Sequence, residues 1–423
     1  MNHKSSVSVT NNHGATSLRD TLLFGAPLLV LAMGHMLSNL LRTLPAIAAD
    51  VISADIAVSP ESLASLTGAY HFAFAAGQIP VGVALDRYGV RVVSLVLLSI
   101  VTVGAVLAGT VGGASGFLFA QIVLGIGCCG MLLCPMTLAA KLLTPAKFGL
   151  WSGLVQGVGN TGMLLSGSPM AWLVEQHGWR TGFLVSAALA VVIAALVLAF
   201  VPGGSSDRAA KHTTLKAEAV QVVRIGLSRP LRGVIILAFS SFAAAIAVRG
   251  LWGGPWLMGI KHLDRLEAGS ALMPLTLAMV VGPMIYGMVD RRLGRRGAIL
   301  AIGHVAAGTA LLLVAVGGSQ GFMSSTFGVP VLSAKFDTMA FFVFGAAIAV
   351  QPLLFALARA AVLPDQAGKA LAAVNLSFFG GAAILQALTS PVASAFGLPA
   401  VMAFLGVVLL VAATAFGVLV RRI

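Results

Sequence analysis

Twelve apolar stretches, each near the ~20 residues that cross a bilayer as a helix, leave this chain few alternatives. They run over 22–48, 62–85, 91–111, 116–140, 148–173, 180–201, 232–258, 268–289, 298–317, 337–361, 367–392 and 398–420. One long polar stretch, 202–231, divides them six and six. The chain thus reads as a tail over 1–21, a six-helix bundle over 22–201, a central loop over 202–231 and a second bundle over 232–423. Charged residues make up only 9% of the chain, against about 25% in soluble domains, which excludes a soluble fold. The expected fold class is an all-α membrane protein of twelve transmembrane helices in two pseudo-symmetric bundles. The bilayer is its obligatory surrounding, and a single copy is the expected unit.

Where the charges fall sets the orientation. Twenty of the 26 Lys and Arg residues lie on the side that holds both termini. Four (Arg180, Lys261, Arg265 and Lys335) lie on the other side. Such asymmetry predicts cytoplasmic termini in a bacterial inner membrane. It also accounts for the net charge of +13 without nucleic acid, because the bases flank apolar segments rather than forming a solvated patch. The first 20 or so residues are polar and show no cleavable signal. The three cysteines, Cys128, Cys129 and Cys134, share one apolar stretch and read as packing residues. Within the central loop, LKAEAVQVVRIGL is a candidate surface helix.

An internal repeat links the halves. After the second stretch the chain reads GVALDRYGVRVV, with Gly82, Asp86, Arg87, Gly89 and Arg91. After the eighth it reads GMVDRRLGRRGA, with Gly287, Asp290, Arg291, Arg292, Gly294, Arg295 and Arg296. Both fall at the same place in their half, as duplicated transporter folds require. A carboxylate beside several arginines at a helix end can act as a latch between bundles, open in one state and shut in another. The alternative role for these arginines is to fix topology alone.

On these residues the chain resembles the major facilitator superfamily, whose signature after the second helix is matched from Gly82 to Arg91. The second copy departs from it: Arg291 fills the acid position and Asp290 precedes it by one. Gln121 stands where the family's fourth helix carries an arginine. The fifth stretch, GLVQGVGNTGMLLSGSP, resembles the exporter-type motif only loosely. The resemblance implies alternating access around a central site.

Two cations lie inside apolar stretches, Arg42 in the first and Arg249 in the seventh, each followed by a proline, Pro45 and Pro255. His35, Asn39 and Arg42 share one helix face. All 13 acids fall in tails, loops or segment ends, so neither arginine has an obvious counter-ion. Two such guanidinium groups favour an anionic ligand, since each can hold a carboxylate or phosphate. The alternative is that they snorkel to the interface. Paired arginines on the first and seventh helices also resemble the superfamily's organic-anion transporters. Further candidates for the site are Tyr70, His71, Trp252, Trp256, Gln156, Asn160 and Asn375. His35 and His71 carry a coupled proton or a structural hydrogen bond; the two tryptophans stack on substrate or anchor at the interface.

Phosphate loops, zinc-hydrolase and serine-hydrolase motifs are absent, so an enzyme is not expected, and neither a cofactor nor a metal is called for. The expected function is secondary transport of a small organic anion, by antiport or proton symport. The rivals are an exporter of apolar or cationic compounds, and a sensor or scaffold, which an added soluble domain or long tail would mark.

Overall fold

A computed structural model describes residues 18–58, 60–203, 215–318, 326, 328 and 332–420. Residues 1–17 of the tail, 204–214 of the polar stretch and 421–423, with Lys4, Arg208, Lys211, Arg421 and Arg422, lie outside the described residues.

The described chain is helical, and its spans follow the apolar stretches. In chain order they are α1 (Leu18–Ile47), α2 (60–88), α3 (90–110), α4 (Gly113–Cys128 then Leu133–Leu142), α5 (Pro145–Leu165 then Ser168–His177) and α6 (Trp179–Phe200). The second half follows with α7 (Arg232–Ala247, a π-helical turn Val248–Trp252, then Gly253–Gly259), α8 (Arg265–Leu293) and α9 (Arg296–Val316). It ends with α10 (Ala334–Ile348 then Pro352–Ala360), α11 (367–396) and α12 (398–420). A short helix, Ala49–Asp55, follows α1, and the central loop contributes the helix Leu215–Gly226, as its sequence suggests.

A single glycine with positive φ joins the second and third helix of every three-helix unit. These are Gly89 (φ 78°), Gly178 (φ 80°), Gly294 (φ 62°) and Gly397 (φ 77°). No side chain is tolerated comfortably there, so glycine turns the chain with almost no loop. The first repeat motif is accordingly not a loop. Gly82, Asp86 and Arg87 continue the helix of α2, and only Gly89 breaks it. Gly287, Asp290, Arg291 and Arg292 likewise lie on α8, which Gly294 ends.

The spans form an inner and an outer set. In the most apolar windows of α1, α4, α7 and α10, 78, 72, 67 and 78% of residues are buried, against 33% in α6. Apolar side chains left uncovered on α3, α6, α9 and α12, such as Val103, Val191, Ile302 and Val411, face outward, where lipid solvates them. α4 and α10, which correspond in the two halves, are each interrupted, at 129–132 and 349–351, and α7 by its π turn. Breaks of this kind survive in a membrane only where protein re-satisfies the backbone.

Between the bundles, α5 lies on α8 and α2 on α11. A side chain at Gly153 would collide with the Pro283 carbonyl, and one at Gly157 would meet the Val280 oxygen at 2.8 Å, so glycine lets α5 reach α8 backbone to backbone. At the strongly basic end, Arg359 at the close of α10 donates to the carbonyls of Ala140 (2.8 Å) and Leu143 (3.0 Å) at the end of α4. Its guanidinium lies 4.6 Å from the Phe148 ring. A cation bonded to the last carbonyls of a helix is well placed against its dipole. The bundles are thus closed at that end.

Candidate functional site

The polar face of α1 points inward. His35, Ser38, Asn39, Arg42 and Thr43 are all buried. Asn39 donates to the Gly159 carbonyl on α5 at 2.8 Å, and its side-chain oxygen accepts from Arg42. Thr43 donates to Ser166 at 2.6 Å, and Ser38 lies 3.4 Å from the Tyr70 hydroxyl on α2. Gln156 lies against His35, and a side chain at Gly159 would overlap the His35 ring. These bonds hold α1 to α5 and fix the polar face in register.

Arg42 is 8% exposed, with its Nε and Nη1 buried and without a hydrogen-bond partner. Ion pairs join Arg180 to Asp55, Lys261 to Asp337 and Arg296 to Asp290, and none of these involves Arg42 or Arg249. Instead the Arg42 guanidinium carbon lies 5.1 Å from the Phe242 ring on α7 and 5.7 Å from Phe379 on α11. Cation–π attraction offsets part of the cost of burying it, roughly 2 kcal/mol in a dry setting, but leaves its charge unneutralised.

Arg249 sits differently. It lies in the π turn of α7, is half-buried, and donates from Nε to the Thr276 hydroxyl on α8 at 2.7 Å. α1 touches this turn, so both arginines border the same inter-bundle region. Phe242, beside Arg42, precedes Arg249 by two helical turns, about 10 Å along the axis.

The remaining candidates divide. Asn375 donates to Gln78, which donates to the Cys129 carbonyl at 2.7 Å, so a polar chain crosses from α11 through α2 to the break in α4. Asn160 donates to the Met279 carbonyl at 2.6 Å, joining α5 to α8. His71 lies edge-on to Tyr70, with ring centroids 5.3 Å apart. Trp252 is half-buried and donates to Thr389 at 2.9 Å. Trp256 belongs elsewhere. It is fully buried, donates to Asp337 at 2.6 Å, and neither stacks at the site nor anchors at an interface.

Asp337 also corrects the survey of acids. It falls at a segment end, yet it is wholly buried, paired with Lys261 at 3.3 Å. Lys261 donates to the carbonyls of Gly317 (2.8 Å) and Leu332 (2.6 Å), so this cluster ties the end of α7 to those of α9 and α10.

The repeat motifs lie on reciprocal partners. Gly82 faces Ala372 on α11, and Asp86 borders a small cleft with Gly368 and Lys369. Arg91 donates to the Leu198 carbonyl of its own bundle at 2.8 Å, and Arg87 lies over the Tyr88 ring. On the other side, Asp290 is 4% exposed and both its oxygens accept from Arg296 Nε at 2.9 Å. A side chain at Gly149 of α5 would meet this carboxylate at 2.9 Å. Arg291, Gly294 and Arg295 are exposed, and of the arginines in this motif Arg296 is the one paired with Asp290. Reasoning from sequence also passed over Phe242, Phe379, Thr276 and Arg359. The Phe378–Phe379 doublet three residues after Asn375 is the one visible trace of them.

A family model described as Major Facilitator Superfamily matches residues 31–384. The chain is 22% identical to a putative niacin/nicotinamide transporter of Bacillus subtilis, over 68% of this chain and 70% of the relative. It is 26% identical to a tetracenomycin C resistance and export protein of Streptomyces glaucescens, over 64% of this chain and 60% of the relative. It is 25% identical to a probable sulfoacetate transporter of Cupriavidus necator, over 70% of each. Among solved structures, the proton:xylose symporter XylE superposes with a TM-score of 0.71 at 16% identity, covering 93% of this chain and 95% of that one. The human organic anion transporter MFSD10 does so with a TM-score of 0.68 at 16% identity, covering 93% and 98%.

Proposed function

Because this chain belongs to the major facilitator superfamily and is one of its membrane transporters, we propose that it carries a small organic anion by alternating access, with Arg42 as the group that holds the charge. The observation that carries this reading is the buried Arg42 guanidinium with two unspent donors and no acid beside it. An isolated buried charge is costly, and a bound carboxylate or phosphate neutralises it while using the free N–H groups.

Arg249, half-buried and two turns away, receives the anion first and passes it inward. In this scheme the seal at the basic end, made by Arg359 and the α5–α8 and α2–α11 contacts, belongs to the state open to the opposite side. The excess of Lys and Arg at that end makes it the cytoplasmic one, in a bacterial inner membrane. Neutralising the cation is what allows the bundles to rock, so exchange of one anion for another is the natural cycle. His35 and His71 are the groups available should a proton travel with the substrate. A single copy holds the whole site.

The likeness to a resistance and export protein favours a second reading, an exporter of uncharged or cationic compounds. Counterflow in proteoliposomes separates the two. Organic anions should exchange and lipophilic cations should not, and Arg42→Ala should abolish the exchange. Exchange of cations that is indifferent to Arg42→Ala overturns the anion reading.

A further inference from the structure

The surroundings of Arg42 say more about the ligand than its charge. Phe379 stacks on Phe74 with centroids 3.7 Å apart, and Phe242 lies 4.8 Å from Phe379. Tyr70 continues the wall at 6.0 Å from Phe74. These rings come from α2, α7 and α11, so both bundles contribute to one aromatic surface against the guanidinium. Asn39 is engaged with Gly159 and Arg42, and Thr43 with Ser166, while the His71 ring nitrogens, Gln156 Oε1, Ser241 Oγ and Asn375 Oδ1 are buried without a hydrogen-bond partner.

Charge counting narrows the class again. One guanidinium neutralises one negative charge, and Arg249, two turns beyond Phe242 on α7, is bonded to Thr276. A dianion would bury a second, uncompensated charge among rings. We infer that the ligand held at Arg42 is an aromatic monocarboxylate, its carboxylate on the guanidinium and its ring against Phe242 and Phe379. This rests on the anion site proposed above.

The test measures binding to the full-length protein in detergent, by thermal stabilisation, with four probes that differ in one property each. Benzoate has the ring and one charge, cyclohexanecarboxylate lacks the aromaticity, benzamide lacks the charge and phenylphosphate carries more of it. Benzoate should bind about 2- to 12-fold more tightly than cyclohexanecarboxylate, the advantage of one aromatic contact, while benzamide should not bind. Phe379→Leu should erase that preference, bringing benzoate and cyclohexanecarboxylate to equal affinity; Phe242→Leu serves as the second variant should the first fold poorly. Equal affinity for benzoate and cyclohexanecarboxylate, or tighter binding of phenylphosphate, overturns the aromatic monocarboxylate while the Arg42 site stands. Anion binding that survives Arg42→Ala unchanged, or absence of binding by all three anions, overturns the anion site itself.

Discussion

Arg42 and Arg249 occupy matching places in the two halves, yet the fold treats them differently. Arg42 is buried against two phenylalanine rings with donors to spare. Arg249 is half-buried on a π-helical turn and spends its Nε on Thr276. The two cations differ in their neighbours, aromatic rings for Arg42 and a hydroxyl for Arg249, and the proposed anion site gives them separate tasks. Phe242 and Phe379 made one a dry anchor; the π turn left the other at the edge of solvent, as π turns at functional sites often do.

The largest expected effect breaks the pair at Arg42. Arg42→Ala should lower exchange at least 100-fold, equivalent to about 2.7 kcal/mol, because no other cation reaches the buried position. Arg42→Lys should recover part of this, keeping the charge but losing the planar donors. Counterflow rates measured with equal amounts of reconstituted protein decide it. If Arg42→Ala lost no more than Arg249→Ala, the two arginines would be equivalent and the asymmetry would be wrong.

The repeat motifs offer the same comparison at the basic end. Asp290 is buried in a pair with Arg296 and pressed against α5, whereas Asp86 is exposed beside α11. Asp290→Asn should therefore loosen the α5–α8 seal by roughly 1–3 kcal/mol. Asp86→Asn should cost no more than about 1 kcal/mol, as exposed pairs do. Hydrogen exchange over 145–160 reports the first, and over 367–376 the second. Equal protection losses at the two sites would mean that burial does not set the strength of the latch.

How much of this was legible in the sequence depends on what each feature needs. The spans were, because a run of apolar residues must match the bilayer whatever it packs against. Arg42 and Arg249 were visible because a charge in such a run is costly unless it faces a cavity, a partner or the interface. The breaks at 129–132 and 349–351 were not, since CCGML and AVQP stay apolar or compact straight through them. Asp290 looked displaced by one residue from its motif. Helix continuation to Gly294 turned it toward Arg296, a register that spacing counted along a loop does not reveal. Phe242 and Phe379 lie 137 residues apart, and Trp256 differs from Trp252 in the partner it meets, Asp337 rather than Thr389. Those assignments belong to tertiary packing.

A smaller effect sharpens the role of Arg249. Its partial exposure places it where salt screens, with a Debye length of about 8 Å at physiological ionic strength. Arg249→Ala should slow exchange by roughly 10-fold at low salt, in line with lost electrostatic steering, and by much less at high salt. The defect of Arg42→Ala should not change with salt, because the group it removes is buried. The ratio of the two defects across a salt series measures how far apart the arginines work.

The smallest effect concerns the hydroxyl that holds Arg249 in place. Thr276 is buried and accepts from Arg249 while donating to the Leu272 carbonyl, so both of its hydroxyl bonds are taken up in holding the guanidinium. Thr276→Val keeps the shape and removes the acceptor, which is worth about 1 kcal/mol, or a five-fold change. That should raise the half-saturating substrate concentration about two- to five-fold and leave the maximal rate unchanged. The change should vanish in the Arg249→Ala background, because the hydroxyl acts through the arginine. If the two substitutions instead multiplied, Thr276 would have a separate role, and the π turn rather than the Arg249 charge would be what distinguishes α7 from α1.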